Sequence, residues 1–450
     1  MSFVIKTERQ TQIDDRYVGF APQTTSVKPV HIANGLFRSI VGSTFDTERL
    51  NQFVFWQKHT GETPPGHEID TVHDILRLTG GVDSEVEKDD IKRLRVLLKK
   101  IVDADNGVFM HRDRMESYSA GYQGFLSEDR IAQDGGELIA GWLKERNSPL
   151  ADYIRRSLAD GTDAITSLCT PLLGQPLKTV PNTLDPDLVF LYRYSDLPQT
   201  PRKLWDGLTA SATTLSQHVS EHPNKLFGLR LVVLFSSFVL VRHLSCLESY
   251  YVPGAENNLV PFLLDFSGTT QGPVARASQM SYTLICQSIS RFYGWAFAQR
   301  LQHIVAPDQL LKEPAPIYDQ KLSDEANEMW QLALLEAKDA SNPYLVMGQA
   351  LYDAMMQDAE GDPIRYLRQL GRRIGLLYPP VNTNPSKRFI VEQDMLETLL
   401  RCVLQPRESV NLHILQERLW ENFGIVIGGR PVDEERLLAR GVYQADSTAL

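Results

Sequence analysis

Two histidines and a glutamate have the spacing of a zinc-hydrolase motif. His218-Val-Ser-Glu-His222 fits H-x-x-E-H, in which both imidazoles bind Zn²⁺ from one helix face and the glutamate acts as base. Pro223 follows at once and disfavours helical dihedral angles at His222, and no partner motif supplies a third ligand. We therefore expect no metal here, and interpret the histidine as a helix-terminal residue.

Other catalytic patterns are weak or missing. Glu336-Ala337-Lys338, with Asp319 upstream, could serve a metal-dependent nuclease, but the surrounding sequence is helical, so we interpret it as a solvated helix face. The chain has no GxxxxGK[ST], GxGxxG, GxSxG or CxxC pattern, which argues against a P-loop ATPase, a Rossmann dehydrogenase, an α/β-hydrolase or a zinc knuckle. We expect no cofactor and assign no catalytic residue.

Positive charge is concentrated locally, although the formal net charge is −10. Between 361 and 390 there is one acid, Asp362, and there are six cations, which we take as candidate phosphate or nucleic-acid ligands: Arg365, Arg368, Arg372, Arg373, Lys387 and Arg388. The first three form a helical stripe opposite Ile364, Leu367, Leu370 and Ile374. Such a stripe can hold phosphates, or it can meet an acidic protein surface. A second patch contains Lys92, Arg93, Arg95, Lys99, Lys100, Arg112 and Arg114.

A long connection, residues 252 to 274, joins two predicted helices, and we call it the central loop. Gly268 and Gly272 precede a helix start, which could seat an anion or an enzyme site, with His243 as a candidate participant. We favour the simpler interpretation, in which Phe262, Leu263 and Leu264 plug the core.

Helical periodicity dominates the elements that would position these residues. It predicts a mainly α, multi-helical protein of two to three packed domains. The apolar run LRLVVLFSSFVLVRHL (229–244) predicts a buried central helix over 225–250, because its 11 residues between Arg230 and Arg242 are too few for a membrane span. Further helices are predicted over 276–303 and over the segments SDEANEMWQLALLEAKDA and NPYLVMGQALYDAMMQDA. The segment 423–429 is the clearest strand candidate.

Proline-rich stretches suggest the domain boundaries. We predict an N-terminal helical domain over 1–175, a central one over 176–312 and a C-terminal one over 313–450. After 391 the predicted order helix, strand, helix is that of a winged helix. Residues 393–450 carry a net charge of −3, from six arginines and nine acids, so protein contact is favoured over DNA contact there.

Composition indicates a globular chain: 450 residues, 42% hydrophobic and 23% charged. Its four cysteines lie far apart, and the N-terminus lacks the pattern of a signal peptide, so we expect a cytoplasmic protein that does not span a membrane.

Two segments, LVPFLLDFSGTTQGPVARASQMSYTLICQSISRFY (259–293) and ERLWENFGIVIGGRPVDEERLLARGVY (417–443), carry a family resemblance. In these the chain resembles accessory, non-ATPase subunits of bacterial DNA-modification-dependent restriction systems, such as the mid-sized subunit of phosphorothioation-dependent restriction. The resemblance implies protein partners that include an ATPase, and it transfers no site residue. Our first hypothesis is a non-catalytic interaction subunit of such an anti-phage assembly. The alternatives are a nucleic-acid-binding protein that uses 361–390, and an enzyme with its site at the central loop.

Overall fold

A computed structural model describes residues 13–22, 27–45, 93, 96, 134–159, 176–178, 196–269, 271–304, 306, 310, 324–358, 363–380 and 387–442. The protein is mainly α-helical, as the periodicity predicts. It divides into two compact units: a larger one of Met1–Val27, Leu184–Ser211 and Phe238–Leu450, and a smaller one of Lys28–Thr183 and Ala212–Ser237. The predicted domain boundaries, after 175 and after 312, adjoin or fall on residues outside the described ones and stay predictions.

The smaller unit contains three helices of its own among its described residues, α1 (Pro29–Val41), α2 (Asp134–Glu145) and α3 (Pro149–Ala159). A short antiparallel pair joins β1 (Ser43–Phe45) to β2 (Pro176–Lys178). Helices α1 and α2 pack closely at Gly136, where an added Cβ would lie 2.2 Å from the carbonyl oxygen of Ile32. Glycine is therefore what allows the two backbones to approach so closely.

Two long helices contain residues of both units: α4 (Gln199–Glu221) and α5 (Lys225–Tyr251). Helix α5 confirms the predicted central helix. By length and composition it could cross a membrane, and among the described residues no other helix could. Its most apolar 18-residue window is completely buried. The prediction that the run is too short for a span was therefore wrong, because the helix extends beyond both arginines, and it is the burial of α5 that makes it a core helix.

The rest of the larger unit consists of helices around short strands. A π-helical segment, Asp14–Val18, comes first. After α5 come α6 (Pro273–Ile304), α7 (Asp324–Asp339), α8 (Pro343–Asp358), α9 (Pro363–Arg373), α10 (Gln393–Val403), α11 (Leu412–Phe423) and α12 (Pro431–Leu438). Helix α6 confirms the predicted helix 276–303, and α7 and α8 confirm the two that were expected next.

The strands of this unit are two residues each. They are β3 (Phe262–Leu263), β4 (Leu377–Tyr378), β5 (Arg388–Phe389) and β6 (Ile425–Val426). β3 pairs in parallel with β6, β4 pairs antiparallel with β5, and a bridge joins Leu264 to Phe389. β6 confirms the strand expected within 423–429. It pairs with the central loop rather than with a strand of its own segment, so the winged-helix interpretation stays a prediction.

Helix α5 meets α6 through polar and aromatic side chains near its C-terminal end. Glu248 is almost fully buried and accepts two hydrogen bonds from Arg291, from Nε at 2.5 Å and from Nη2 at 2.8 Å. The aromatic ring of Tyr251 stacks on that of Trp295, with centroids 6.1 Å apart. A bidentate ion pair with one buried partner fixes the register of these two helices as well as stabilising them.

Candidate functional site: a basic cluster beside the central loop

Helix α9 presents the predicted arginine stripe. Leu367, Leu370 and Ile374 are buried on one side, while Arg365, Arg368, Arg372 and Arg373 are half-buried. Proline at the first position starts the helix after residues 359–362, which are not described. Three of the four predicted apolar residues are therefore buried, while the fourth, Ile364, is half-buried like the arginines.

The structure brings three of these arginines together with Lys387, the residue that precedes β5. Burial and the neighbouring Arg368 lower the pKa of Arg372, and burial together with Arg372 lowers the pKa of Arg373. Burial, Arg372 and Arg368 likewise lower the pKa of Lys387. We call Arg368, Arg372, Arg373 and Lys387 the basic cluster. Its charges repel one another, which is the electrostatic condition that favours a bound anion.

Lys387 is only 1% exposed, which is unusual for a lysine. Its Nζ donates a hydrogen bond of 2.7 Å to the carbonyl oxygen of Pro379, and Arg372 donates to the carbonyl oxygen of Pro380. Two cations therefore clamp the segment that follows β4. The burial of Lys387 is not visible in its sequence context.

The arginines of the basic cluster differ from those of the C-terminal helices in whether they pair with acids. Among the described residues, none of Arg368, Arg372 and Arg373 has a carboxylate within ion-pair distance. The arginines of the C-terminal helices, in contrast, are paired with acids: Arg401 with Glu397, Arg418 with Glu408, Arg430 with Asp433 and Glu417, and Arg436 with Asp433 and Glu417. Acids thus neutralise these four C-terminal arginines, whereas Arg368, Arg372 and Arg373 have no such acid among the described residues.

Arg388 serves a different purpose from the other predicted cations. Its Nη1 lies 3.3 Å from Oδ2 of the buried Asp265 and donates a 2.6 Å hydrogen bond to the carbonyl oxygen of Thr269. The other carboxylate oxygen of Asp265 accepts bonds from the amide and the hydroxyl of Ser267, at 2.9 and 2.6 Å. Arg388 thereby attaches the end of the central loop to β5. The structure brings together two features that the sequence presented separately.

The apolar part of the central loop is a plug, as we favoured. Phe262, Leu263 and Leu264 are buried, and the ring of Phe262 stacks on that of Phe389 with centroids 4.4 Å apart. The amide of Phe262 donates to the carbonyl of Gly424, which continues the pairing of β3 with β6. This plug fixes the loop against the segment that carries Arg388.

Arg242 is a buried cation that the sequence did not identify, because it appeared to end the apolar run. It is fully buried, with Nη1 donating to the carbonyl of Val260 at 2.9 Å and with the guanidinium carbon 4.4 Å from the ring centroid of Phe262. Its Nε and Nη2 have no hydrogen-bond partner among the described residues, and burial lowers its pKa. The guanidinium therefore supports the plug through its contacts with Val260 and Phe262.

His243 does not have the environment of a catalytic base. It is 1% exposed, and its Nε2 lies 2.8 Å from the carbonyl oxygen of Val18. Its ring packs near those of Phe20, Trp205 and Tyr250. Burial lowers its pKa to about 4, so the imidazole is neutral at physiological pH. These contacts are those of a core histidine.

The remaining motifs bring no further groups together. Helix α4 ends at Glu221, so His222 lies beyond it, where its Nδ1 accepts from the amide of Asn224 at 3.1 Å. Within the described ranges, no three His, Cys, Asp or Glu side chains could hold a metal ion. Glu336 and Lys338 are exposed on α7, while Asp319 lies outside the described residues, as does the second basic patch except Arg93.

Comparison with protein-family models, with curated proteins and with solved structures finds no match for the chain.

Proposed function

We propose that this protein binds nucleic acid through the basic cluster. One observation supports the proposal above the others: Arg368, Arg372 and Arg373 lie together without an acidic partner among the described residues. Guanidinium groups bind phosphate oxygens with paired N–H donors, and each phosphate contact releases counterions. Burial, and after it the charge of a neighbouring arginine, lowers the pKa of Arg372 and of Arg373, and a phosphate backbone would relieve the repulsive part.

The test is fluorescence anisotropy with labelled DNA of about 20 nucleotides, as single strand and as duplex, between about 50 and 200 mM salt. Changing Arg368, Arg372 and Arg373 to Gln should weaken binding. It should also reduce the magnitude of the slope of log binding constant against log salt concentration by about 2 to 3, because each lost phosphate contact lowers that slope by about 0.7 to 0.9. The matched control changes three exposed cations outside the basic cluster, Arg155, Lys203 and Lys338, to Gln. It removes the same net charge and should leave the slope unchanged. Equal slopes in both variants, or no binding by the wild type, would refute the proposal.

A second function is supported by exposed leucines. On α7, Leu332 is 66% exposed and Leu335 is 61% exposed, three residues apart and so on one face of the helix. Exposed apolar side chains in a row are typical of protein-contact surfaces. We therefore also propose a role as a non-catalytic subunit of a larger assembly, such as an anti-phage complex that includes an ATPase.

This second proposal places the protein in the cytoplasm, and the free thiols Cys246, Cys286 and Cys402 support a reducing compartment. The test is co-purification from the native host. Leu332→Lys together with Leu335→Lys should release a stoichiometric partner that the control Leu412→Lys retains. A wild-type chain that purifies alone at every concentration would contradict it.

A further inference from the structure

We infer that the ligand of the basic cluster is single-stranded nucleic acid, with bases that stack on Tyr378 and Phe266. This inference rests on the proposed function and specifies its ligand. Phe266 is 53% exposed and Tyr378 is 37% exposed, and within the described residues no other Phe, Tyr or Trp side chain is exposed to this degree. Aromatic rings of this size are normally covered in a folded protein.

Tyr378 contacts Arg388, and Phe266 is the next residue after the ion-pair partner of Arg388. Tyr378 faces it across the β4–β5 pair, and the guanidinium carbon lies 5.0 Å from the centroid of the tyrosine ring. Phe266 directly follows Asp265, the carboxylate with which Arg388 pairs. The same guanidinium therefore brings one aromatic residue from the hairpin and one from the central loop into one neighbourhood.

The aromatic pair also adjoins the basic cluster. The two residues after Tyr378 are Pro379 and Pro380, and their carbonyl oxygens accept hydrogen bonds from Lys387 and Arg372. Arg372 and Tyr378 therefore lie on neighbouring parts of one surface, and the buried Lys387 fixes the segment that joins them. The cations would follow the phosphates of a strand, and the rings would face its bases.

This combination discriminates between nucleic-acid forms. In a duplex the faces of the bases are stacked on one another, so an aromatic side chain reaches them only by unstacking the helix. In a single strand every base has a free face, and stacking on an aromatic residue is largely independent of sequence. A purely electrostatic surface would bind duplex at least as well, because a duplex has the higher charge density.

The experiment compares labelled oligothymidylate of about 20 nucleotides, its duplex with oligoadenylate, and a strand of equal length in which abasic tetrahydrofuran replaces every thymidine. Wild type should bind the thymidine strand more tightly than the duplex or the abasic strand. Tyr378→Ala and Phe266→Ala should each weaken binding of the thymidine strand by about 5-fold to 100-fold. Neither substitution should change binding of the abasic strand, since that ligand offers phosphates and no bases.

The conservative control is Tyr378→Phe, which keeps the ring and should retain wild-type affinity. A general loss of structure in Tyr378→Ala would weaken the binding of all three ligands alike. An unchanged affinity for the abasic strand therefore separates a loss of stacking from misfolding. The inference is overturned if the alanine variants bind the thymidine strand like wild type, or if duplex and single strand bind equally. In either case, a reduced salt slope in the arginine variant would leave the proposed function standing. Absence of all binding would overturn both.

Discussion

Gly424, at the end of α11, provides a direct test of how tightly the plug encloses Arg242. Its φ is +62°, in the left-handed region, and an added Cβ would lie 2.2 Å from Nη2 of Arg242 and 3.1 Å from its Cζ. Gly424→Ala therefore imposes two costs. Alanine in a left-handed conformation costs about 1–2 kcal/mol, and crowding a packed core costs about 1–3 kcal/mol. We expect the free energy of unfolding to fall by about 2–5 kcal/mol.

The control is Gly441→Ala. Gly441 has a similar φ of +67°, but an added Cβ would meet nothing within 4 Å, so only the backbone cost of about 1–2 kcal/mol applies. Both variants are compared by urea unfolding, followed by far-UV circular dichroism and tryptophan fluorescence. If the two substitutions destabilise the protein equally, the guanidinium does not occupy the space that we describe. Adding Arg242→Met should also remove the extra cost of Gly424→Ala, because a double-mutant cycle isolates the contact between the two side chains.

Three further predictions concern stability. Glu248→Gln should lower the free energy of unfolding by about 1–2 kcal/mol, as measured by urea unfolding. The value is modest because Arg291 is half exposed and regains contact with water. Arg291→Lys should also lower the free energy of unfolding, because lysine cannot form the bidentate pair. His243 has a folded pKa of about 4 against 6.5 when unfolded, so the unfolded chain binds the extra proton and stability falls as pH decreases from 6.5 to 4. The loss should be about 2 kcal/mol between pH 7 and pH 5, and His243→Gln should lack that part of the pH dependence. Gly348→Ala should destabilise the crossing of α6 and α8 by about 2–4 kcal/mol in thermal unfolding, since its Cβ would lie 2.3 Å from the carbonyl oxygen of Gly294; a neutral result would show that these helices can move apart.

Much of the fold could be predicted from periodicity. Helices α5 and α6 begin and end within a few residues of the predicted ranges, and the apolar triplet Phe262–Leu264 is buried as expected. These predictions succeed because a helix or a plug is specified by neighbours in sequence, and the spacing of apolar residues is a local property.

The candidate site was predictable only in part. The arginine stripe of α9 follows from its spacing, but the pairing of Arg388 with Asp265 joins residues more than a hundred positions apart. The exposure of Tyr378 and the burial of Lys387 also depend on how β4 and β5 pack. No spacing rule connects segments of the chain that are so distant.

The sequence by itself determined which residues could carry charge and which helices would be buried, because composition and periodicity act over a few turns of helix. Only the tertiary structure decided which charges are neutralised. Arg418 and Arg430 of the C-terminal helices pair with carboxylates, whereas Arg368, Arg372 and Lys387 lie close enough for their charges to repel one another. Coulomb interactions depend on distance in space, so the same residue type is a structural brace in Arg430 and a candidate phosphate ligand in Arg372.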